Sequence, residues 1–208
     1  MSAGYFIAFE GPEGAGKSTQ IKHLAGRLEQ DGIPLITSRE PGGTPAGDAI
    51  RQVLLDPNLT MTPLTEFLLY SASRAEHVDT VIAAALEQNK VVITDRFAGA
   101  SLAYQGYGRG VALEFIHNLT QTITKRLPDV TILLDIDVQV GLNRIAKRGQ
   151  LDRLEQADIT FHKRVRQGFL EQARAPNWLT FAANQAEDVL AEQIYNAVST
   201  RLYAKLNP

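Results

Sequence analysis

The 208-residue sequence contains no cysteine and has a formal charge of −2. The absence of cysteine excludes disulfides and cysteine-ligated metal sites. A mildly acidic chain has no overall attraction to nucleic acid or to an anionic membrane surface, so neither is an expected partner. No apolar run reaches the roughly 18 to 20 residues that could span a bilayer. The N-terminus also lacks the basic and apolar stretches of a secretory signal. We therefore expect a cytoplasmic protein.

Short apolar runs alternate along the chain with segments whose apolar residues have helical spacing. The run Thr131-Ile132-Leu133-Leu134 has no polar alternation, as expected of a central strand covered on both faces. Strands that alternate with helices predict an α/β fold with a parallel sheet. No linker or repeat divides the sequence, so residues 1–208 are predicted to form one domain. The predicted strands lie at 5–9, 34–36, 91–94, 130–136 and 178–182.

Residues 11–18, Gly-Pro-Glu-Gly-Ala-Gly-Lys-Ser, match the phosphate-loop pattern G-x-x-x-x-G-K-[ST]. Glycines allow successive backbone N–H groups to converge on an anion, and a helix that begins near Lys17 would add its dipole. Lys17 would reach the terminal phosphates, and the Ser18 hydroxyl would bind Mg²⁺. The alternative is a glycine-rich turn before an ordinary helix. The predicted nucleotide-binding residues are Gly11, Pro12, Glu13, Gly14, Ala15, Gly16, Lys17, Ser18 and Thr19.

Two arginines stand where predicted strands end: Arg39 ends the second strand, and Arg96 ends the third. Ligands bind beyond the carboxyl ends of the strands in a doubly wound sheet, so both arginines are expected near the phosphate loop. A guanidinium fits phosphate oxygens; the alternative for each arginine is a surface ion pair. Arg74 lies in a predicted helix and needs tertiary packing to reach the same crevice. Asp95 ends an apolar strand. It is predicted to contact the groups that bind Mg²⁺ rather than the ion itself.

Residues 141–155, GLNRIAKRGQLDRLE, form a locally basic segment. Arg144 and Arg148 are four residues apart, and like charges at that spacing on a helix repel each other. A bound anion would relieve the repulsion. We therefore predict a mobile lid that closes over the transferred phosphoryl group and excludes water. The alternative is a solvated basic end of a helix.

A phosphate loop of this kind occurs in kinases and in nucleotide-hydrolysing switches. The motifs D-x-x-G and [NT]-K-x-D, which a GTPase switch would normally carry, do not occur in the sequence. The clustered arginines favour a kinase with a second phosphorylated substrate. Two alternatives stay open: a small kinase for another nucleotide or nucleoside, and a switch whose output is partner binding.

The sequence resembles the bacterial thymidylate kinases over nearly its whole length. The motifs that recur in the same order are the loop at 11–18, REPGGT at 39–44, DR at 95–96, AYQG at 103–106 and RGQLDR at 148–153. The resemblance implies a P-loop NTPase fold in which a five-stranded parallel sheet has helices on both faces, usually in a homodimer. It also implies that ATP, with Mg²⁺, phosphorylates dTMP to dTDP in dTTP synthesis.

The resemblance also implies roles for single residues. Arg96 matches the strongest ligand of the dTMP phosphate, and Glu13 matches a contact to the sugar 3′-hydroxyl. The Tyr104 ring would crowd the 2′ position, and Ser101 would hydrogen-bond the pyrimidine edge. Tyr70 stands where relatives commonly stack a phenylalanine on thymine. The full substrate-binding set is Glu13, Arg39, Tyr70, Arg74, Arg96, Ser101, Tyr104 and Gln105.

The variable positions 12–15 of the phosphate loop contain no cation. This is similar to the bacterial subgroup in which the lid supplies the catalytic arginine. Ala146 replaces an arginine that relatives often carry, which leaves open which lid arginine matters most. The predicted catalytic residues are Lys17, Arg96, Arg148 and Arg153, and Arg144 is predicted to contact ATP.

Overall fold

The computed structural model describes residues 4–147 and 149–206. These residues form a five-stranded sheet in the order β2-β3-β1-β4-β5, in which every neighbouring pair is parallel. The predicted α/β fold with a parallel sheet is thereby confirmed. The strands are β1 (Tyr5–Glu10), β2 (Leu35–Arg39), β3 (Val91–Asp95), β4 (Val130–Asp135) and β5 (Trp178–Ala182).

The helices between the strands begin where the sequence offers caps. The Thr44 side chain caps α2, and the Thr62 side chain caps α3. Each helix has proline in its first turn, where the helix does not use the backbone N–H that proline lacks. The helices are α1 (Lys17–Gln30), α2 (Pro45–Leu55), α3 (Pro63–His77), α4 (Ala83–Glu87), α5 (Ala98–Ser101), α6 (Leu113–Ile123), α7 (Val138–Ala146), α8 (Ile159–Gln172) and α9 (Glu187–Leu206). Two π-helical segments, Val78–Ile82 and Leu102–Gly108, follow α3 and α5.

Helices cover both faces of the sheet. Alternate residues of β1 point to opposite faces, and Ile7 packs in one buried cluster while Phe6 packs in another. The Ile7 cluster includes residues of α1 and α9, and the Phe6 cluster includes Val78 and Ile82. None of the helices in residues 4–147 and 149–206 is both long enough and apolar enough to cross a bilayer.

The predicted second strand was too short. β2 runs from Leu35 to Arg39 because its polar residues Thr37 and Ser38 continue the parallel pairing with β3. β2 lies at the edge of the sheet, where one face need not be apolar. Arg39 therefore ends this strand, as predicted, and lies at the same edge as the carboxyl end of β1.

Candidate active site

The phosphate loop connects the carboxyl end of β1 to α1, which begins at Lys17. Gly16, just before the helix, has a φ of 87°, in the left-handed region that favours glycine. Gly14 has a φ of 71°, and a Cβ there would collide with the carbonyl of Gly141 in α7. A Cβ on Gly141 would in turn collide with the carbonyl of Glu13. The loop and the first turn of α7 therefore meet backbone to backbone.

A cavity of about 450 Å³ lies beside this loop. Residues 13–19 line one wall, and Arg39, Tyr70, Asp95 and Arg96 line the others. The structure thus brings together most of the predicted loop, metal and phosphate residues. Among the described residues, the predicted site residues that do not line the cavity are Gly11, Pro12, Arg74, Ser101, Tyr104, Gln105, Arg144 and Arg153.

Lys17 is buried beneath the loop. Its ammonium group donates hydrogen bonds to the carbonyl oxygens of Gly11 at 3.0 Å and Pro12 at 3.1 Å. Burial, together with the nearby Arg96 charge, lowers the pKa of Lys17 to about 8. The side chain is therefore a cation of limited solvation at neutral pH, placed where phosphate oxygens can replace the two carbonyl partners.

Arg96 stands at a bend after β3, with a φ of 68°. Its guanidinium donates to Glu13 Oε1 at 2.5 Å and to the Gly11 carbonyl at 3.0 Å. The Tyr104 hydroxyl donates to the same Glu13 oxygen at 2.6 Å, and the Tyr104 ring lies 4.9 Å from the guanidinium carbon. Burial raises the pKa of Glu13, but Arg96 and Lys17 outweigh burial and lower it to about 2. Arg96 is therefore fixed beside the loop by an ionised carboxylate.

Ser18 and Asp95 form the candidate metal site. The Ser18 hydroxyl donates a hydrogen bond to Asp95 Oδ2 at 2.8 Å, and both residues line the cavity. Mg²⁺ prefers such oxygen ligands and takes further ligands from substrate phosphates and water. No group of three or more acidic, histidine or cysteine side chains that could hold a metal occurs in the described residues. The Ser18 hydroxyl and the Asp95 carboxylate are oxygen ligands of the kind that fits Mg²⁺.

The cavity also contains a cation that the sequence analysis missed. Arg51, on α2, lines the cavity and donates to the Pro41 carbonyl at 3.0 Å. Arg39, by contrast, is largely exposed and pairs with Asp48 at 3.1 Å. Arg51 shares a helix face with the buried Leu54 three residues later, and a charge on a buried face is a signal that could have revealed it.

Arg74 belongs to a buried network behind the cavity. Its Nε donates to Glu40 at 2.7 Å, and its Nη2 donates to the Phe97 carbonyl at 3.1 Å and the Ser101 hydroxyl at 2.9 Å. His77 contacts the other Glu40 oxygen at 3.1 Å. Within the described residues, Nη1 of Arg74 has no hydrogen-bond partner. Arg74 therefore reaches the neighbourhood of the site, as its helix position required, with one donor group to spare.

Arg153 and Gln105 meet on a buried carboxylate that the sequence analysis also missed. Glu66 on α3, which is 1% exposed, accepts from Gln105 at 2.7 Å and from Arg153 at 2.6 Å. Arg153 also donates to the Leu54 carbonyl at 2.9 Å. These contacts fix Arg153 away from the phosphate loop, while its neighbour Asp152 lines the cavity. A catalytic role for Arg153 stays a prediction.

The predicted lid begins in α7. Arg144 near the end of this helix donates to the carbonyl oxygens of Gly14 and Ala183, both at 3.2 Å. It therefore lies against the outer side of the phosphate loop, where a contact to ATP stays a prediction. Arg148, the other predicted catalytic residue of the lid, lies outside the described residues.

Residues 9–194 match the thymidylate kinase family. The chain is 53% identical over 204 residues to the thymidylate kinase of Deinococcus radiodurans, and the aligned region covers 97% of this chain and 99% of the relative. It is 45% identical over 199 residues to the thymidylate kinase of Halothermothrix orenii, and this alignment covers 94% of the chain and 96% of the relative. The structure is also similar to the crystal structure of thymidylate kinase from Ehrlichia chaffeensis, with a TM-score of 0.77 and 29% sequence identity. That superposition covers 94% of this chain and 99% of the Ehrlichia chaffeensis chain. With the phosphate loop, the arginines and the sheet order in place, the chain belongs to the thymidylate kinase family.

Proposed function

We propose that the cavity beside the phosphate loop is the site where the γ-phosphoryl group of ATP passes to dTMP, giving ADP and dTDP for dTTP synthesis. As a member of its family, the protein is a nucleoside monophosphate kinase with ATP as phosphate donor. One observation carries the assignment to this cavity. Lys17, Arg96 and the Ser18–Asp95 pair all line it, so cations for two phosphorylated substrates meet in one space.

On the donor side, the loop N–H groups and the α1 dipole attract the phosphates of ATP. Lys17 exchanges its two carbonyl partners for phosphate oxygens, and Arg144 adds positive charge beside Gly14. Ser18 would hold Mg²⁺ directly, with Asp95 orienting it. When bound, Mg²⁺ neutralises charge on the β- and γ-phosphate oxygens.

On the acceptor side, Arg96 binds the dTMP phosphate, with Arg51 and Arg39 at the rim. A guanidinium in this position offers two donors in one plane to phosphate oxygens. Tyr70 provides a buried ring at the cavity wall on which thymine stacks. Arg74, in the buried network behind the cavity, has a spare donor that would be available to the base.

The chemical step needs positioning and charge rather than a base. An anionic oxygen of dTMP attacks the γ-phosphorus, the bond from that phosphorus to the bridging oxygen breaks, and ADP carries away the electron pair. No proton has to move, because the acceptor is already ionised. Lys17 and the lid offset charge on the moving group. The contacts of Arg153 to Glu66 favour Arg148 as the arginine that the lid supplies.

A substrate panel tests the proposed function. Purified protein with ATP and excess Mg²⁺ is given dTMP, dCMP, AMP or thymidine, and the phosphorylated products are separated and quantified. We expect dTMP to be converted in clear preference, without any partner protein, and the Lys17→Ala variant to provide the background rate. Preference for another acceptor would overturn the substrate assignment, and ATP hydrolysis without product would favour a switch.

We also propose that the protein acts as a homodimer in the cytoplasm. Three large apolar side chains on adjacent helices, Leu64 and Leu68 of α3 and Phe115 of α6, are each more than 40% exposed. The Phe115 ring lies 5.7 Å from the buried Phe67 ring, so this apolar face continues into the core. A second copy would cover it. Sedimentation should give a dimer that Leu68→Glu converts to a monomer; a monomeric parent protein would contradict the assembly.

A further inference from the structure

A second cavity, of about 600 Å³, lies on one face of the sheet between α5, α6 and α8. Its walls are largely apolar, with Leu102, Leu113, Leu127 and the Trp178 ring among the lining side chains. It shares no lining residue with the cavity beside the phosphate loop. The proposed phosphoryl transfer gives this second space no task. Its volume falls in the range of small-molecule sites, about 300 to 1,000 Å³.

Glu10, the last residue of β1, also lines this second cavity. Its side chain is 1% exposed. Oε1 accepts hydrogen bonds from the backbone N–H groups of Phe97 and Ala100, both at 3.0 Å. Oε2 has no hydrogen-bond partner among the described residues. A buried carboxylate oxygen without a partner is costly, so this oxygen is prepared to accept a bond from a donor that enters the cavity.

The cations near Glu10 are already engaged elsewhere. Lys17 and Arg96 act on it through space, but their described hydrogen bonds go to the phosphate loop. At the cavity lining, Arg174 pairs with Glu171 at 2.6 Å. Burial raises the pKa of Glu10 to about 7, although Arg96 opposes that effect, so a cationic donor would favour the ionised carboxylate.

We propose that this cavity is a second ligand site, which binds a small, flat, mainly apolar molecule whose protonated amine donates a hydrogen bond to Glu10 Oε2. A protein surface is a poorer fit, because the acceptor oxygen belongs to a side chain that is only 1% exposed. The Trp178 and Tyr107 rings in the lining suit an aromatic body, and the rest of the wall contributes apolar contact.

The test uses the full-length protein saturated with dTMP and two matched probes, 1-naphthylmethylamine and 1-naphthoic acid. Affinities are measured by calorimetry at pH about 8, above the pKa of about 7 for Glu10. We expect the amine to bind at least about 10-fold more tightly than the acid, because the protonated amine donates to the ionised Glu10, whereas the carboxylate of the acid has no donor and repels Glu10. Equal affinities, or failure of the amine to bind the dTMP-saturated protein, would overturn the proposal.

Two variants locate the bound amine. Glu10→Gln keeps an oxygen for the Phe97 and Ala100 N–H groups but removes the charge, and it should abolish the preference for the amine. Ala175→Phe fills the cavity from its lining and should weaken both probes by about 10-fold or more. The folding of Glu10→Gln is checked by its melting temperature and by dTMP binding. If this variant does not fold, the binding of the amine to Ala175→Phe decides whether the amine occupies the cavity. Unchanged binding of the amine to Ala175→Phe would overturn the site.

Discussion

The phosphate-loop region and the predicted lid segment, residues 141–155, are both basic, yet their cations are arranged differently. Lys17 and Arg96 converge on one cavity, and each is oriented by groups of the loop itself. In the lid, Arg144 contacts the outside of the loop and Arg153 is fixed by Glu66 on α3. A contiguous motif carries its own geometry, because strand, loop and helix follow one another. The orientation of side chains in a cluster of charges depends on partners that are distant in the sequence, so the cluster alone does not predict it.

The lid arginines give the sharpest test of this difference. Arg148→Ala should lower kcat by about 10³-fold or more while dTMP affinity, measured without ATP, stays nearly unchanged, since an arginine on a phosphoryl transition state can contribute that much. Arg153→Ala should act mainly on the fold, because it removes the shorter of the two ion pairs of the buried Glu66 and leaves this carboxylate with Arg109 at 3.7 Å. Breaking one buried pair can cost about 3–5 kcal/mol, and the remaining Arg109 pair should keep the loss toward the lower end. The measurements are steady-state kinetics and thermal melting of both variants.

The double variant Arg153→Met with Glu66→Gln serves as the matched control for the lid. Removing both charges should restore most of the melting temperature that Arg153→Ala loses. A normal melting temperature with a large loss of kcat in Arg153→Ala would instead assign the catalytic part to Arg153. If alanine at positions 144, 147, 148 and 153 leaves kcat near normal, the catalytic lid is wrong, although the kinase assignment survives.

Lys17→Ala should lower kcat by about 10²–10³-fold, comparable to the loss of one preorganised donor to a developing charge. The exposed Lys22, on the same helix, provides a control of equal charge change, and Lys22→Ala should stay within a factor of a few. Kinetics on both variants, with folding checked by circular dichroism, decide. A folded Lys17→Ala enzyme with near-normal kcat would contradict the assignment of the loop.

Arg96→Ala should weaken dTMP far more than ATP, because in our assignment Arg96 contacts the acceptor phosphate. Truncating one partner of a buried charged pair costs on the order of 2–5 kcal/mol. Arg39→Ala, at an exposed position already paired with Asp48, should cost less than about 1 kcal/mol. Titration of each nucleotide separately gives the comparison, and an equal loss for both nucleotides in Arg96→Ala would contradict this placement.

The smallest expected effect is a pH dependence. Because the pKa of Lys17 is lowered to about 8, the free enzyme loses this charge as the pH rises through that value. kcat/KM for ATP should therefore fall above pH about 8, whereas kcat should stay level to higher pH, since bound phosphates favour the charged form. Lys17→Arg should remove the fall in kcat/KM, because a guanidinium stays ionised. Identical profiles for the two enzymes would show that another group titrates.

The sequence predicted the parts of the molecule that local pattern determines. The phosphate loop, the parallel sheet and the strand-end position of Arg39 follow from contiguous residues, and the structure contains them. Glu66 and Arg51 could not be assigned in the same way. Glu66 acts through Gln105 and Arg153, which are 39 and 87 residues distant, so its role depends on tertiary packing.

The thymidylate kinase resemblance supplied what local pattern lacked, such as the placement of Arg74 near the site. It did not supply the partners that fix Arg74, because Glu40 stands inside the REPGGT motif without any sign of its burial. Such partners become visible only when β2, α3 and the bend after β3 are packed together. Physical inference from sequence is therefore strongest for backbone geometry and weakest for buried charge.

The backbone contact between Gly14 and Gly141 has a genetic consequence. A side chain at either position would strike a carbonyl of the main chain, and no substitution at the other position removes that carbonyl. The two glycines therefore cannot compensate for each other. In a library randomised at both codons and selected for dTMP kinase activity, survivors should be glycine at both positions, with no rescued pairs. The positions would resist drift although neither carries a functional group.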